Sequence, residues 1–298
     1  MILSELKSFA EVMVTKTEIS LNREILVSGE SQVESQEKSN INAMTMNMMN
    51  IETKIEINTK KMISDMICLF DGRVIVVEMG DYVNILTRDG KLQKQLPISG
   101  VPLSVTQINQ DTIAITYPHE KVIHIFNMKN GTIISSIRLN KKCWGLSYSN
   151  NFLAVGLSND DGIRIIDLDG NTLTSTQVQS KSKLYHLVYC NDRVIYSDFY
   201  GNAVSCINES GNQIWQYKHD LSGPEGLCTD NYGNIIVTDY SSDRIIVISK
   251  DGQDGKVLIR KEHGLAHPKC ICFKNIESYG FICDNMGILL AKFNLSFK

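Results

Sequence analysis

Four carboxylates, Glu78, Asp198, Asp239 and Asp284, end apolar runs that recur along the chain, and Thr116 and Gly156 take the two remaining equivalent places. Carboxylates gathered at one level of a repeated unit have two uses. They can hold a cation or a basic ligand, or they can accept backbone N–H bonds from the turns they begin. Turn capping is the expected role here, and Asp239 is also placed to pair with Arg244 across a hairpin. Glu225, in Pro224-Glu225-Gly226, opens the run before Asp239. Its counterparts are Ser64 or Asp65, Ser104, Trp144 or Gly145, Tyr185 or His186, and Lys269. Calcium takes six to eight oxygen ligands, which this set does not supply. Cys270 and Cys272 alternate along one run with His267 close by, short of the four clustered ligands of a structural zinc site. The chain shows neither a Gly-rich phosphate loop nor a nucleophile elbow. No metal and no cofactor is expected.

The elements that must position these residues are short strands. From Lys54 onward, Ile- and Val-rich runs alternate with turn dipeptides. Asp89-Gly90, Asn130-Gly131, Asp169-Gly170, Ser210-Gly211 and Asp251-Gly252 mark turns whose glycines are 41, 39, 41 and 41 residues apart. Two apolar runs joined by a polar loop precede each turn, as in NIIVTDYSSDRIIVISKDG and RVIYSDFYGNAVSCINESG. One more short run lies ahead of each pair (DMICLF, LSVTQI, WGLSYS, YHLVYC, EGLCTD, KCICF), and another follows each turn. Four antiparallel strands every ~40 residues is the cue for a propeller blade. The fold class expected is therefore all-β, a six-bladed β-propeller of four-stranded antiparallel blades. The last unit lacks its fourth strand, which KIEIN (54–58) can supply, closing the ring and covering a sheet edge. Helical periodicity is missing between the strands, which counts against a parallel α/β fold. Residues 1–53 read as a short amphipathic helix (Leu3, Leu6, Phe9, Ala10, Met13) and a polar linker with a Met-rich end, and residues 54–298 as the propeller.

The fifth unit is the most regular. Pro224-x-Gly226-Leu227, Asp230-x-x-Gly233-Asn234-Ile235-Ile236-Val237-x-Asp239, Arg244-Ile245-x-Val247 and Gly252 resemble the NHL repeat. With TYPHEKVIHIF, CWGLSYSNNFLAVG and KLYHLVYCNDRVIYSD in the second, third and fourth units, residues 54–298 resemble the C-terminal propeller of tripartite-motif and B-box proteins of bivalve molluscs. The RING and B-box ligand clusters of that family are missing from this sequence, so its ubiquitin-ligase activity does not carry over. The helix at Leu3 to Met13 would then be a coiled-coil remnant. The resemblance implies a recognition domain of the ubiquitin pathway that binds a protein or peptide through one face of the ring.

Tyr82, Tyr117, His119, Trp144, Tyr185, Phe199, Tyr200 and Tyr240 are expected on rim loops of one face, together with Glu225. Aromatic residues clustered on one face mark a binding surface. Stacking aromatics beside a basic groove would also suit single-stranded RNA. Yet Lys121, Lys141, Lys142, Lys181, Lys183, Lys218 and Arg244 are mixed with acidic residues, and the net charge is −3. That mixture favours a protein or peptide partner over a phosphate backbone. The sequence reading is thus a non-catalytic binding module, with single-stranded RNA as the alternative and a calcium-dependent hydrolase or lactonase third. Eight cysteines lie mostly inside strand-like runs without a CxxC pair, which points to a reducing compartment and a cytoplasmic location. No apolar run approaches the roughly 20 residues that span a membrane, and the N-terminus lacks the pattern of a signal peptide. Oligomeric state is left open.

Overall fold

The structure, a computed structural model, describes residues 46–56, 61–80, 82–158, 162–274, 278–285 and 289–297. These residues form six four-stranded antiparallel sheets. A single strand, β1 (Met46–Glu56), comes first. The first blade is then β2 (Ile63–Cys68), β3 (Val74–Glu78), β4 (Tyr82–Leu86) and β5 (Leu92–Pro97). The second is β6 (Val105–Asn109), β7 (Thr112–Tyr117), β8 (Val122–Asn127) and β9 (Ile133–Arg138). The third is β10 (Cys143–Ser149), β11 (Phe152–Leu157), β12 (Ile163–Ile166) and β13 (Thr172–Thr176). The fourth is β14 (Leu187–Cys190), β15 (Arg193–Asp198), β16 (Ala203–Asn208) and β17 (Gln213–Tyr217). The fifth is β18 (Pro224–Thr229), β19 (Ile235–Asp239), β20 (Arg244–Ile248) and β21 (Gly255–Ile259). The sixth is β22 (Pro268–Lys274), β23 (Tyr279–Asp284) and β24 (Leu289–Phe297), completed by β1.

The innermost strands contact one another in sequence, β2 with β6, β6 with β10, and so on to β22, which returns to β2. That closed circuit makes the six sheets a propeller ring. Burial explains the order within each blade. Second strands such as β3 and β19 are buried at every residue, because both faces of a central blade strand meet neighbouring blades. Outer strands such as β5 and β9 expose five of six residues, which suits their Lys, Gln, Ser and Arg content. The glycines that recur at the third-to-fourth-strand turns, Gly90, Gly131, Gly170, Gly211 and Gly252, all take positive φ, a conformation costly for any residue with a Cβ.

The closing strand is longer than the sequence predicts. It runs Met46–Glu56 rather than from Lys54, and it pairs antiparallel with β24 from Met46↔Phe297 to Glu56↔Leu289. The Met-rich end read as linker therefore belongs to the sheet. Met49 is buried with Ile236, Ile271 and Phe293 of the fifth and sixth blades, so apolar packing rather than β-propensity recruits the segment. The expected helix at Leu3 to Met13 lies outside the described residues. Among the described residues no helix is long and apolar enough to cross a membrane.

Candidate functional site

In an antiparallel blade, the starts of the first and third strands and the ends of the second and fourth share one face. That face holds the channel mouth where β2, β6, β10, β14, β18 and β22 begin. Between the inner strands of adjacent blades side chains carry bonds across, beside a backbone bond from the Gly145 N–H to the Leu184 carbonyl at 2.8 Å. Asp65 accepts the Ser104 hydroxyl at 2.6 Å and the Val105 N–H at 2.9 Å, and Ser104 Oγ in turn accepts the Leu146 N–H at 3.1 Å. Thr116 donates to the Trp144 carbonyl at 2.7 Å, and Thr238 to the Lys269 carbonyl at 3.0 Å. Bulges interrupt the pairing at the start of β2, β10, β18 and β22. A bulge takes a residue off the ladder and re-aims its side chain, and Glu225 and Lys269 both sit in one. Gly226 at this level is required by space, since a Cβ there would lie 2.5 Å from the Lys269 carbonyl oxygen.

His186 occupies the mouth. Its Nδ1 lies 3.9 Å from Asp65 of the first blade, across the ring, and its Nε2 lies 3.5 Å from Glu225 of the fifth. The His186 side chain is 7 % exposed, against 14 % for Asp65 and 17 % for Glu225. Below them a cavity of about 180 Å³ runs down the channel, lined by Asp65, Ser104 and His186 at the top and by Cys68, Cys228 and Cys272 further in. Burial pushes the Asp65 carboxyl above the ordinary aspartate range, against the opposing pull of His186, the Ser104 hydroxyl and the Val105 and Met66 amides. A buried imidazole between two carboxylates, one of them raised, is a group set up to move protons. The same donors do not fit calcium: Asp65 is already spent on three hydrogen bonds, from Ser104, Val105 and Met66. Among the described residues no group of three or more His, Cys, Asp or Glu is arranged to hold a metal.

The acidic residues at the second-strand ends have other partners. Asp198 accepts the Ser182 hydroxyl at 2.6 Å and the Lys181 and Gly201 amides. Asp239 accepts the Ser222 amide at 2.6 Å and the Ser242 hydroxyl, and it pairs with Arg244 at 2.7 Å. Glu78 accepts from Asn84, and Asp284 accepts the Leu289 amide at 3.4 Å. Each is tied to its own hairpin or to the adjoining connector. Strand pairing corrects the alignment of this ring. Ile63↔Glu78, Cys143↔Leu157, Pro224↔Asp239 and Pro268↔Asp284 are equivalent pairs, so Leu157 rather than Gly156 stands in the third blade. In the second blade the matching bonds of Thr116 and Thr238 put Tyr117 at the Asp239 level.

That register places the rim aromatics. Tyr117 is 1 % exposed and belongs to the core of the first two blades, with its hydroxyl lacking a hydrogen-bond partner. It is therefore no surface contact, because it fills the position that a buried carboxylate fills elsewhere. Tyr82, His119 and Tyr200 are exposed, and Tyr185, Phe199 and Tyr240 are half-buried. Phe199, Tyr200, Tyr240 and His267 form a run of ring contacts, with centroids 5.1 Å (199–200), 5.9 Å (199–240) and 5.0 Å (240–267) apart. Trp144 packs edge-on against Tyr185 at 5.4 Å. Sequence reading weighs Asp65 and His186 only as weak calcium ligands. Asp65 is the third residue of β2 and His186 immediately precedes β14, so no shared spacing in the sequence links the two.

A solved streptogramin B lyase superposes with a TM-score of 0.61 at 14 % identity, over 83 % of this chain and 98 % of that one. The selenomethionine-substituted virginiamycin B lyase of Staphylococcus aureus gives 0.64 at 14 % identity, over 83 % and 100 %. No protein-family model matches the sequence, and no curated protein does. At this identity the likeness shows a shared fold. The six-bladed propeller stands, while the finer likeness to NHL and tripartite-motif proteins finds no support in these comparisons. The expectation that the chain is not an enzyme is corrected. Both propellers are named as lyases, and a shortage of calcium ligands at the channel mouth does not bear on acid–base chemistry there.

Proposed function

We propose that the protein is an enzyme whose channel mouth carries out acid–base chemistry on a small organic molecule. The observation that carries this is His186, buried between Asp65 and Glu225 at the head of the channel cavity. A lyase-type elimination needs one group to take a proton and another to return one to the leaving group. His186 fills the first role, oriented from across the channel by Asp65. Glu225, re-aimed by its bulge, fills the second. The hydroxyl of Ser104 is committed to Asp65 and serves to hold that carboxylate in place. The eight free cysteines suit a reducing compartment such as the cytoplasm.

The test is a mass-spectrometric screen of virginiamycin B and a panel of cyclic and linear esters, with wild type beside His186→Ala and Glu225→Gln. Turnover of one member is expected, lowered about 10²-fold or more by His186→Ala. Turnover that survives His186→Ala, or none across the panel, contradicts the proposal.

A second reading rests on the ring contacts from Phe199 through Tyr240 to His267, with Tyr200 73 % exposed. This apolar run on the same face suits a protein or peptide partner, as the NHL-like fifth blade would imply. Affinity capture with and without ribonuclease tests it. A partner retained after ribonuclease and lost in Tyr200→Ala supports it, and capture that vanishes with ribonuclease favours single-stranded RNA instead.

A further inference from the structure

Lysines gather around Trp144 on the channel-mouth face. Lys121, Lys141, Lys142 and Lys183, with Asn140, Ser158 and Trp144, line a cavity of about 290 Å³. Backbone bonds fix the loops that carry them: the Lys121 carbonyl accepts the Leu139 N–H at 2.8 Å, and the Lys142 carbonyl accepts the Ser158 N–H at 3.0 Å. Lys183 Nζ stands 4.5 Å above the indole centroid. Glu120, the acidic neighbour of Lys121, has its carboxylate against Gly100 of the preceding connector. Lys121, Lys142 and Lys183 bring positive charge to the cavity wall, which favours an anionic ligand there. Trp144 is 7 % exposed, and its indole N–H has no hydrogen-bond partner. A buried donor left unmet is costly and calls for an acceptor.

We infer that this cavity binds an anionic group with several acceptor oxygens, a phosphate, sulfate or carboxylate, carried by the small molecule that reacts at the channel mouth. The inference deepens the proposed enzymatic reading and rests on it for the identity of the reacting end. Trp144 joins the two places, because its ring packs on Tyr185, the residue before His186. Lysine ammoniums act on such a group as point charges. The anion draws Lys183 off the indole and offers the buried N–H an oxygen.

Tryptophan emission and calorimetry follow the titration of the intact protein with inorganic phosphate, inorganic sulfate, acetate and pyrophosphate, at ionic strength held constant with chloride. Saturable binding of one or more of these is expected, with an emission change that Trp144→Phe removes. Lys142→Ala and Lys183→Ala should each weaken it about fivefold or more. Lys129→Ala, on the opposite face and paired with Asp111, should leave it unchanged. His186→Ala should lower turnover about 10²-fold or more yet keep anion binding, so the two proposals fail separately. A response matched by chloride, or lysine variants that bind like wild type, would overturn the inference. So would tight oligouridylate binding that pyrophosphate does not displace.

Discussion

Asp239 and Asp65 lie on the same face of the ring and both are withdrawn from water, but only Asp239 meets a permanent cation. Asp239 is fully buried and holds Arg244 at 2.7 Å, with the Ser222 amide and Ser242 hydroxyl filling its other sites. Arg244 reaches on to Asp220, also at 2.7 Å. Asp65 has hydrogen bonds and the imidazole of His186 at 3.9 Å, and burial prevails, raising its pKa. Compensation of the first kind braces a hairpin. Incomplete compensation of the second kind costs stability and leaves a group able to exchange protons, the mark of a site rather than a strut.

The largest expected effect separates the two at once. Arg244→Ala strands the Asp239 carboxylate in the blade and should cost about 3–5 kcal/mol in chemical denaturation. A loss below 1 kcal/mol would mean that Asp239 is not braced by charge.

Asp65→Asn should act in the opposite direction, raising stability at pH 7 by about 0.5–2 kcal/mol while lowering turnover. The sign follows from linkage. The unfolded aspartate ionises near 3.8 and the folded one only at a higher pH, so wild-type stability falls as pH rises through that window. The gain from Asp65→Asn is then full above the window, fades as pH falls through it and is gone below about 3.8. Unfolding curves at several pH values check it, and a gain that grows toward acid would refute the assignment.

Tyr117 gives a smaller test at the Asp239 level of the second blade. Its buried hydroxyl has no partner, so Tyr117→Phe should be neutral or stabilising by up to about 1 kcal/mol. A clear destabilisation would show that the hydroxyl finds a partner in solution.

These contrasts explain what could be read from sequence. The blade repeat was legible because turn glycines at φ near +70° to +90° recur at fixed spacing, and Asp239–Arg244 because both residues flank one hairpin. KIEIN was legible as the closing strand, but residues 46–53 read as linker because the apolar partners that recruit them, such as Ile236 and Phe293 around Met49, lie far away in sequence. Tyr117 read as a rim residue because an apolar run does not mark the residue that ends its strand, and the pairing register sets that end one residue later in the second and third blades. Asp65 and His186 lie 121 positions apart in sequence and meet only when the ring closes across the channel.

Carboxyl ¹³C NMR titration of Asp65, in wild type and in His186→Ala, tests the central claim most directly. The claim is that His186 and Asp65 form one coupled group at the channel mouth. The expected result is an Asp65 midpoint above 3.8 that moves further up when the His186 side chain, which pulls it down, is removed. A midpoint at or below 3.8, or one that His186→Ala leaves in place, would contradict it.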